Sequence, residues 1–60
     1  MTFIEIVDLG GTVHSINTAH IIEVSQFEKN ETNIILSNGN VIYTSLSKFD
    51  VVKKATGLNI

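Results

Sequence analysis

An Asn-Gly pair lies between two β-branched, apolar runs in the second half of the chain, and it constrains the fold more than any other feature. Residues 32–37 and 41–45 are the two runs, and Asn38-Gly39 falls between them. Asn-Gly is the strongest short-range signal for a β-hairpin, because both residues tolerate the positive φ angles of a tight turn. We therefore predict two antiparallel strands joined at Asn38 and Gly39.

A two-residue turn at this pair determines which side chains share a face of the hairpin. With Asn38 and Gly39 as turn residues, strand positions 35 and 42 lie opposite each other. Because side chains alternate between faces, both faces receive apolar residues. One face carries Ile34, Leu36, Val41 and Tyr43, and the other carries Ile35 and Ile42. Neither is an ordinary solvent face, so we expect one of them to be buried against another chain.

The face of Ile35 and Ile42 is the candidate protein interface. The polar residues predicted around it are Asn33, Ser37, Asn40 and Thr44. An apolar centre with a polar rim is the usual anatomy of a protein contact. The predicted interface residues are therefore Ile35, Ile42, Asn33 and Thr44. The alternative is that a helix covers one face and strand curvature hides the other.

The size of the chain also favours association. Its 60 residues make a single domain, 1–60, and a domain of this length buries only about 60% of its unfolded surface. The chain has no cysteine, which excludes disulfides and thiolate metal sites as stabilising devices. Oligomerisation is the simplest remaining device. We therefore expect a homo-oligomer, together with a protein partner of unknown identity.

The first part of the chain predicts a second hairpin. Residues 3–8 and 13–16 read as strands, and Gly10-Gly11 supplies the positive φ angles of a two-residue turn. In that register Val7 pairs with His14, and Glu5 is a diagonal neighbour of His14 on one face. A weak cross-strand ion pair between Glu5 and His14 follows.

The rest of the chain predicts one more strand and a helix. Residues 17–20 form a connector, and residues 21–27 form strand three. The length of the following turn decides which side chains of this strand face the core, and the sequence leaves that open. Residues 47–57 change to helical spacing. Ser47 with Asp50 resembles a capping box, and Gly57 lies where a left-handed C-cap is expected. The fold class is therefore mainly β: a small, twisted antiparallel sheet of about five strands with one short C-terminal helix.

Four stretches of the chain resemble the FlbD family of small proteins from flagellar operons, which is itself similar to LytTR-type β-rich domains. They are Ile-Val-Asp-Leu-Gly-Gly at 6–11, the segment 16–24, the hairpin 32–39, and Thr-Ser-Leu-Ser at 44–47 followed by Val51-Val52. Together they span nearly the whole chain. The resemblance implies a fold more than a function. LytTR-type domains bind DNA, so it also implies a nucleic-acid-binding regulator as an alternative function.

No residue set in the sequence indicates a reaction or a cofactor. His14 and His20 are six residues apart and have no cysteine partners, whereas structural zinc sites show Cys/His pairs at fixed spacing. The serines have no visible base and orienting group. Gly10-Gly11 is not followed by the helix and lysine of a phosphate loop. We predict no catalytic, metal or cofactor residues, and therefore a non-enzymatic protein.

The charge of the chain weighs against a nucleic-acid partner without excluding one. The formal charge is −2, with four lysines and no arginine. Phosphate backbones are gripped by clustered Lys and Arg, and guanine edges mostly by Arg. The candidate nucleic-acid contacts are Lys29, Lys48, Lys53 and Lys54, although for the last three we favour the explanation that they are solvated lysines that aid helix capping and solubility.

The sequence also suggests a location and a general function. No apolar run approaches the ~20 residues of a membrane span, and no basic region or cleavage site follows Met1. We expect a cytoplasmic protein without a membrane partner. The predicted function is a non-catalytic binding module that acts by protein–protein contact as an oligomeric regulator, inhibitor or adaptor. A LytTR-like nucleic-acid-binding regulator and an oligomer that encloses a small molecule between subunits are the alternatives.

Overall fold

The computed structural model describes residues 3–57 and shows a mainly β chain with one short C-terminal helix, as the sequence predicts. Within these residues no helix has the length and apolar character that crossing a bilayer requires. The elements in chain order are β1 (Phe3–Val7), β2 (Val13–Asn17), a 3₁₀ turn (Thr18–His20), β3 (Ile21–Glu28), β4 (Glu31–Leu36), β5 (Val41–Thr44) and α1 (Lys48–Thr56).

The five strands form two sheets rather than the single sheet that the sequence predicts. Strands β1 and β2 form one antiparallel pair, and β3, β4 and β5 form an antiparallel sheet in that order. The 3₁₀ turn separates β2 from β3, so these consecutive strands do not pair. The sheets meet where an isolated antiparallel bridge joins Asp8 to Thr44, and the Leu9 N–H donates to the Tyr43 carbonyl at 2.9 Å.

The β4–β5 hairpin lies one residue away from the predicted register. Ile34 pairs with Ile42 and Ile35 pairs with Val41, whereas the sequence predicts Ile35 opposite Ile42. The cause is the turn: the Gly39 N–H donates to the Leu36 carbonyl at 3.0 Å, and Gly39 has φ +90°. This is a three-residue loop in which glycine is the bulge residue, and it adds one residue to the predicted two-residue turn.

The β1–β2 hairpin differs from its prediction in the same way. Gly11 has φ +90° and its N–H donates to the Asp8 carbonyl at 3.0 Å, so this loop also has three residues. Glu5 therefore pairs with Ser15 on the exposed outer face, while His14 lies on the inner face. The predicted Glu5–His14 ion pair is wrong, because the two side chains point to opposite sides of the sheet.

The core lies between the inner faces of the two sheets and one side of α1. Its buried apolar side chains are Ile4, Ile6, Ile16, Ile34, Ile42 and Val51. Ile42 is only 7% exposed, and Thr44 is fully buried beside it on β5. The sequence places both on the interface face with Ile35 and Asn33. That grouping is wrong, because the one-residue register change turns Ile42 and Thr44 into the core and leaves Ile35 and Asn33 on the outer face.

Strand β3 contains two irregularities that decide which of its side chains face the core. The pairing with β4 shifts between Ile21 and Glu23 and again between Gln26 and Glu28, so Ile22 and Phe27 have no direct partners. These two side chains are 67% and 73% exposed. Between the shifts, Val24 lies opposite Ile34 and packs against the core.

The helix begins and ends where the sequence predicts. The Asp50 N–H donates to the Ser47 hydroxyl at 3.1 Å, which satisfies one of the free amides of the first turn. Gly57 adopts the left-handed conformation with φ 71°, and its N–H donates to the Lys54 carbonyl. The helix packs against β3, and the Lys48 N–H also donates to the Gln26 side-chain oxygen at 3.0 Å.

Two buried threonines connect the sheets to the segment before the helix. Thr32 and Thr44 lie opposite each other on β4 and β5. The Thr32 hydroxyl donates to the Leu46 carbonyl at 2.6 Å, and the Thr44 hydroxyl accepts from the Leu46 N–H at 3.3 Å. The Thr44 hydroxyl also donates to the Val7 carbonyl at 2.9 Å. Buried hydroxyls are thus paired, and they tie three separate segments together.

The register makes a direct prediction about the isoleucines at 35 and 42. Ile42→Lys should unfold the monomer, because it inserts a charge into the core in place of a packed side chain, at a cost of at least about 3 kcal/mol. Ile35→Lys, on the outer face, should leave the monomer folded. Urea unfolding followed by circular dichroism measures both. Equal behaviour of the two variants would contradict the register.

Thr44→Val tests the connection made by the threonine hydroxyl. Valine has nearly the same shape, but it leaves the Val7 carbonyl without this donor and the Leu46 N–H without this acceptor. We expect a loss of about 1–3 kcal/mol in the free energy of unfolding, measured by urea titration. Thr56→Val is the control, because the Thr56 hydroxyl bonds to the Val52 carbonyl on the exposed surface of α1. Its effect should stay within about 0.5 kcal/mol.

Candidate protein-binding surface

An apolar patch lies on the outer face of the β4–β5 hairpin beside the first turn. We call Leu9, Ile35, Val41 and Tyr43 the outer patch. Ile35 pairs with Val41, and Tyr43 follows Val41 on the same face of β5. Leu9 lies beside Tyr43, because its backbone N–H donates to the Tyr43 carbonyl. Leu9 is 55% exposed and Tyr43 is 49% exposed.

Polar residues border the outer patch along β3 and β4. Asn33 lies opposite Tyr43, and Glu23 lies opposite Ile35 on the same outer face. The Ser25 hydroxyl donates to the Glu23 carboxylate at 2.6 Å, which holds that charge at the border. The predicted interface residues Ile35 and Asn33 therefore lie at this surface, while Ile42 and Thr44 do not. The outer patch has the apolar centre and polar edge of a protein contact.

An open groove of about 870 Å³ runs along β2 and around the β4–β5 turn. All five residues of β2 line it, and Leu36, Ile42 and the polar turn residues between them form much of the opposite wall. A smaller cavity of about 280 Å³ lies between the first turn and β5, where Leu9, Val41 and Tyr43 meet. His14 borders both spaces.

Asp8 holds the side chain of His14, which lies at the boundary of the groove and the smaller cavity. His14 Nε2 lies 2.8 Å from Asp8 Oδ2. A carboxylate only accepts hydrogen bonds, so Nε2 carries a proton in this contact. The other carboxylate oxygen accepts from the Gly10 and Thr12 N–H groups, each at 2.9 Å. Asp8 therefore organises the three-residue turn and orients the His14 ring.

These contacts change the acidity of Asp8. The hydrogen bond from His14, followed by that from the Thr12 N–H, lowers the pKa of the Asp8 carboxyl below its usual value. Both interactions favour the ionised carboxylate. Stability from this group is therefore present above the unfolded-state pKa and is lost as the pH falls through the lower pKa of the folded state.

The other histidine has a different setting. His20 Nδ1 lies 3.1 Å from the Ser37 hydroxyl at the exposed end of the groove. Among residues 3–57 no carboxylate is hydrogen-bonded to the His20 ring, so the pair lacks the orienting group of a catalytic triad. In the same part of the chain, no group of three or more His, Cys, Asp or Glu residues could hold a metal ion.

The four lysines predicted as nucleic-acid contacts lie in a region that also carries carboxylates. Gln26 draws the turn and the helix start together, because its amide donates to the Lys29 carbonyl at 3.3 Å and its oxygen accepts from the Lys48 N–H. Carboxylates share this region: Glu28 and Glu31 pair across the turn that holds Lys29, and Asp50 lies in the first turn of α1. Lys53 and Lys54 lie in the last turn of the helix, where cations complement its dipole.

Sequence reasoning missed Leu9 as a surface residue and Asp8 as the partner of His14. The signal for Leu9 was an apolar residue inside a glycine-rich turn, where polar residues are usual. The signal for Asp8 was an aspartate in the first position of a turn, where its oxygen accepts from backbone amides.

Comparison with known proteins does not extend these observations: no family model, no curated protein and no solved structure matches the chain.

The Asp8 contacts predict an acid-sensitive hairpin. In the wild-type protein the melting temperature should fall as the pH is lowered from 7 to 3. The reason is that protonation of the Asp8 carboxylate weakens the hydrogen bonds that it accepts from His14 and the Thr12 N–H. Asp8→Asn should melt lower at pH 7 and show a smaller acid-induced fall. Glu5→Gln is the control, since it removes a carboxylate from the outer face of the same strand. A fall of equal size in wild type and Asp8→Asn would contradict the role of Asp8.

Proposed function

We propose that this chain is a non-catalytic binding module that self-associates through the outer patch and acts by protein–protein contact as a regulator, inhibitor or adaptor. The single observation that carries the proposal is the outer patch itself. Ile35, Val41 and Tyr43 lie on one strand face, and Leu9 of the adjoining turn lies beside them. The chain's own helix packs on the opposite side, because its buried Val51 belongs to the core between the inner faces. Contiguous exposed apolar patches with a polar border mark interaction sites.

The size of the domain supports self-association as one use of this surface. A 60-residue chain without disulfides has a small core, and association removes further apolar area from water. Among residues 3–57, six apolar residues are buried in the core, whereas ten large apolar residues are exposed. A second copy that covers the outer patch places the same apolar row on both sides of a two-fold contact.

The arrangement of polar groups supports a binding role over catalysis. The Asp8 carboxylate is occupied by two backbone amides and the His14 ring. The Ser37–His20 contact is exposed to solvent. Catalytic pairs work in sites that exclude water and that hold an orienting group. The Asp8 carboxylate instead organises the turn of the β1–β2 hairpin.

Tyr43→Lys tests the proposal. Wild-type protein should show the mass of at least two chains by light scattering on a sizing column, and Tyr43→Lys should weaken self-association at least about a hundredfold. The reason is that the substitution places a cation in the centre of a desolvated apolar contact.

Phe27→Lys is the matched control, because Phe27 is also an exposed aromatic side chain on a strand but lies on β3, outside the outer patch. It should leave the mass unchanged. Wild-type protein that is monomeric across the whole dilution series would reject self-association. A loss of mass in Phe27→Lys and not in Tyr43→Lys would place the contact elsewhere.

A further inference from the structure

The free edge of β2 presents unpaired backbone groups to the groove. The Asp8 N–H donates to the Thr12 carbonyl, so this is a hydrogen-bonded position of the β1–β2 ladder. Hydrogen-bonded and non-hydrogen-bonded pairs alternate in an antiparallel ladder. The backbone groups of His14 therefore face β1, and those of Val13 and Ser15 face the groove. Within residues 3–57, the hydrogen bonds outside the strand ladders include none to the backbone of Val13 or Ser15.

The two outer edges of the sheets differ in how open they are to another strand. Strand β2 is regular over its five residues, about 17 Å, and has no bulge. Strand β3, by contrast, has register shifts at Ile22 and Phe27 and carries exposed Glu23 and Glu28. Bulges and charges are the usual means by which an edge is protected from pairing. The edge of β2 has neither protection.

The chemistry of the groove specifies what kind of segment fits beside β2. Its lining residues are six apolar side chains, five Ser or Asn side chains and two histidines, with no lysine, aspartate or glutamate. A charged side chain that entered would lose its hydration without gaining a partner of opposite charge. Ile16, Leu36 and Ile42 form an apolar wall, whereas Ser37, Asn38 and Asn40 form a polar one.

We propose that β2 and its groove bind an uncharged, extended segment of another protein, in which apolar and polar residues alternate, by adding it to β2 as a further strand. Main-chain bonds to Val13 and Ser15 supply affinity, and alternate side chains enter the apolar wall, as in other cases of strand addition. The inference rests on the proposed role in protein contact, but it uses an edge distinct from the outer patch.

A single extended segment suits this site better than a second copy of the chain. The β4–β5 turn lies along the same groove as the β2 edge. A second copy would bring its own β4–β5 turn into that space, whereas a lone segment would not. The volume of about 870 Å³ is within the range of ordinary ligand sites, about 300–1,000 Å³.

The test uses a synthetic eight-residue peptide of alternating Val and Thr, acetylated and amidated so that it has no charge. Binding to the 60-residue chain is measured by isothermal titration. Ser15→Pro should weaken binding at least about tenfold, because proline removes the N–H that faces the groove. Proline is tolerated on an edge strand when the lost N–H faces outward.

Glu5→Pro is the matched control. Glu5 lies directly opposite Ser15, and its N–H also points away from the hairpin ladder, but toward the other side of the hairpin. It should change the affinity by less than about twofold. A second probe, the same peptide methylated at alternate backbone nitrogens, should bind at least about tenfold more weakly to wild type. This probe decides the matter even if Ser15→Pro fails to fold.

Any of three peptide results would overturn the inference: no binding of the unmodified peptide to wild type, equal binding of the methylated peptide, or equal weakening by Ser15→Pro and Glu5→Pro. A lower solution mass for Ser15→Pro alone would show that a second copy occupies the edge, which also overturns the choice of a separate partner. If the peptide does not bind but Tyr43→Lys lowers the solution mass, this inference is rejected and the proposed function stands.

Discussion

The hydroxyl of Thr44 is the interaction on which the arrangement of the two sheets depends. It is fully buried, and it bonds to β1 through Val7 and to the start of the helical segment through Leu46. Among residues 3–57, the backbone link between the sheets beside it is the isolated Asp8–Thr44 bridge with its Leu9–Tyr43 hydrogen bond, so the contact between β1 and β5 is short. A buried hydroxyl with both donor and acceptor functions in use fixes orientation as well as distance. The inner faces consequently pack isoleucine against isoleucine, and the apolar residues of β5 on the other face remain outside.

Much of the fold could be predicted from the sequence, since local signals dominate in a chain this short. The positions of the five strands, both turns and the two helix caps follow from β-branched runs, glycines and Ser47. The register could not be predicted from the same signals. An Asn-Gly pair suits a two-residue turn, yet here Asn38 and Gly39 occupy a three-residue loop with the glycine as bulge residue. One added residue inverts every face relation between β4 and β5, which is why Ile42 lies in the core.

The candidate binding surfaces show the same division between local and long-range information. That apolar residues outnumber what the core can bury was evident from composition and length. Which of them remain outside depends on the two loop lengths and on where α1 packs, and neither is encoded in one segment. The bulges of β3 are a further example, because the displacement of Ile22 and Phe27 arises from pairing with β4. Residues 21–28 contain no glycine or proline that would indicate a bulge in the sequence. The carboxylate–imidazole contact of Asp8 and His14 likewise required the correct hairpin register.

The contrast between the regular edge of β2 and the bulged edge of β3 has a consequence for growth of the assembly. A chain with two open edges can add copies at both ends and lengthen into a fibre, since each addition regenerates the edge it consumed. Of the two outer edges in the described part of the chain, that of β2 is regular, and that of β3 carries two displaced residues and two carboxylates. If two copies paired through the edge of β2, growth would end after that single step, because the bulged, charged edge of β3 offers no second receptive edge. The irregular edge of β3 thus disfavours the repeated edge-to-edge addition on which an amyloid-like fibre depends.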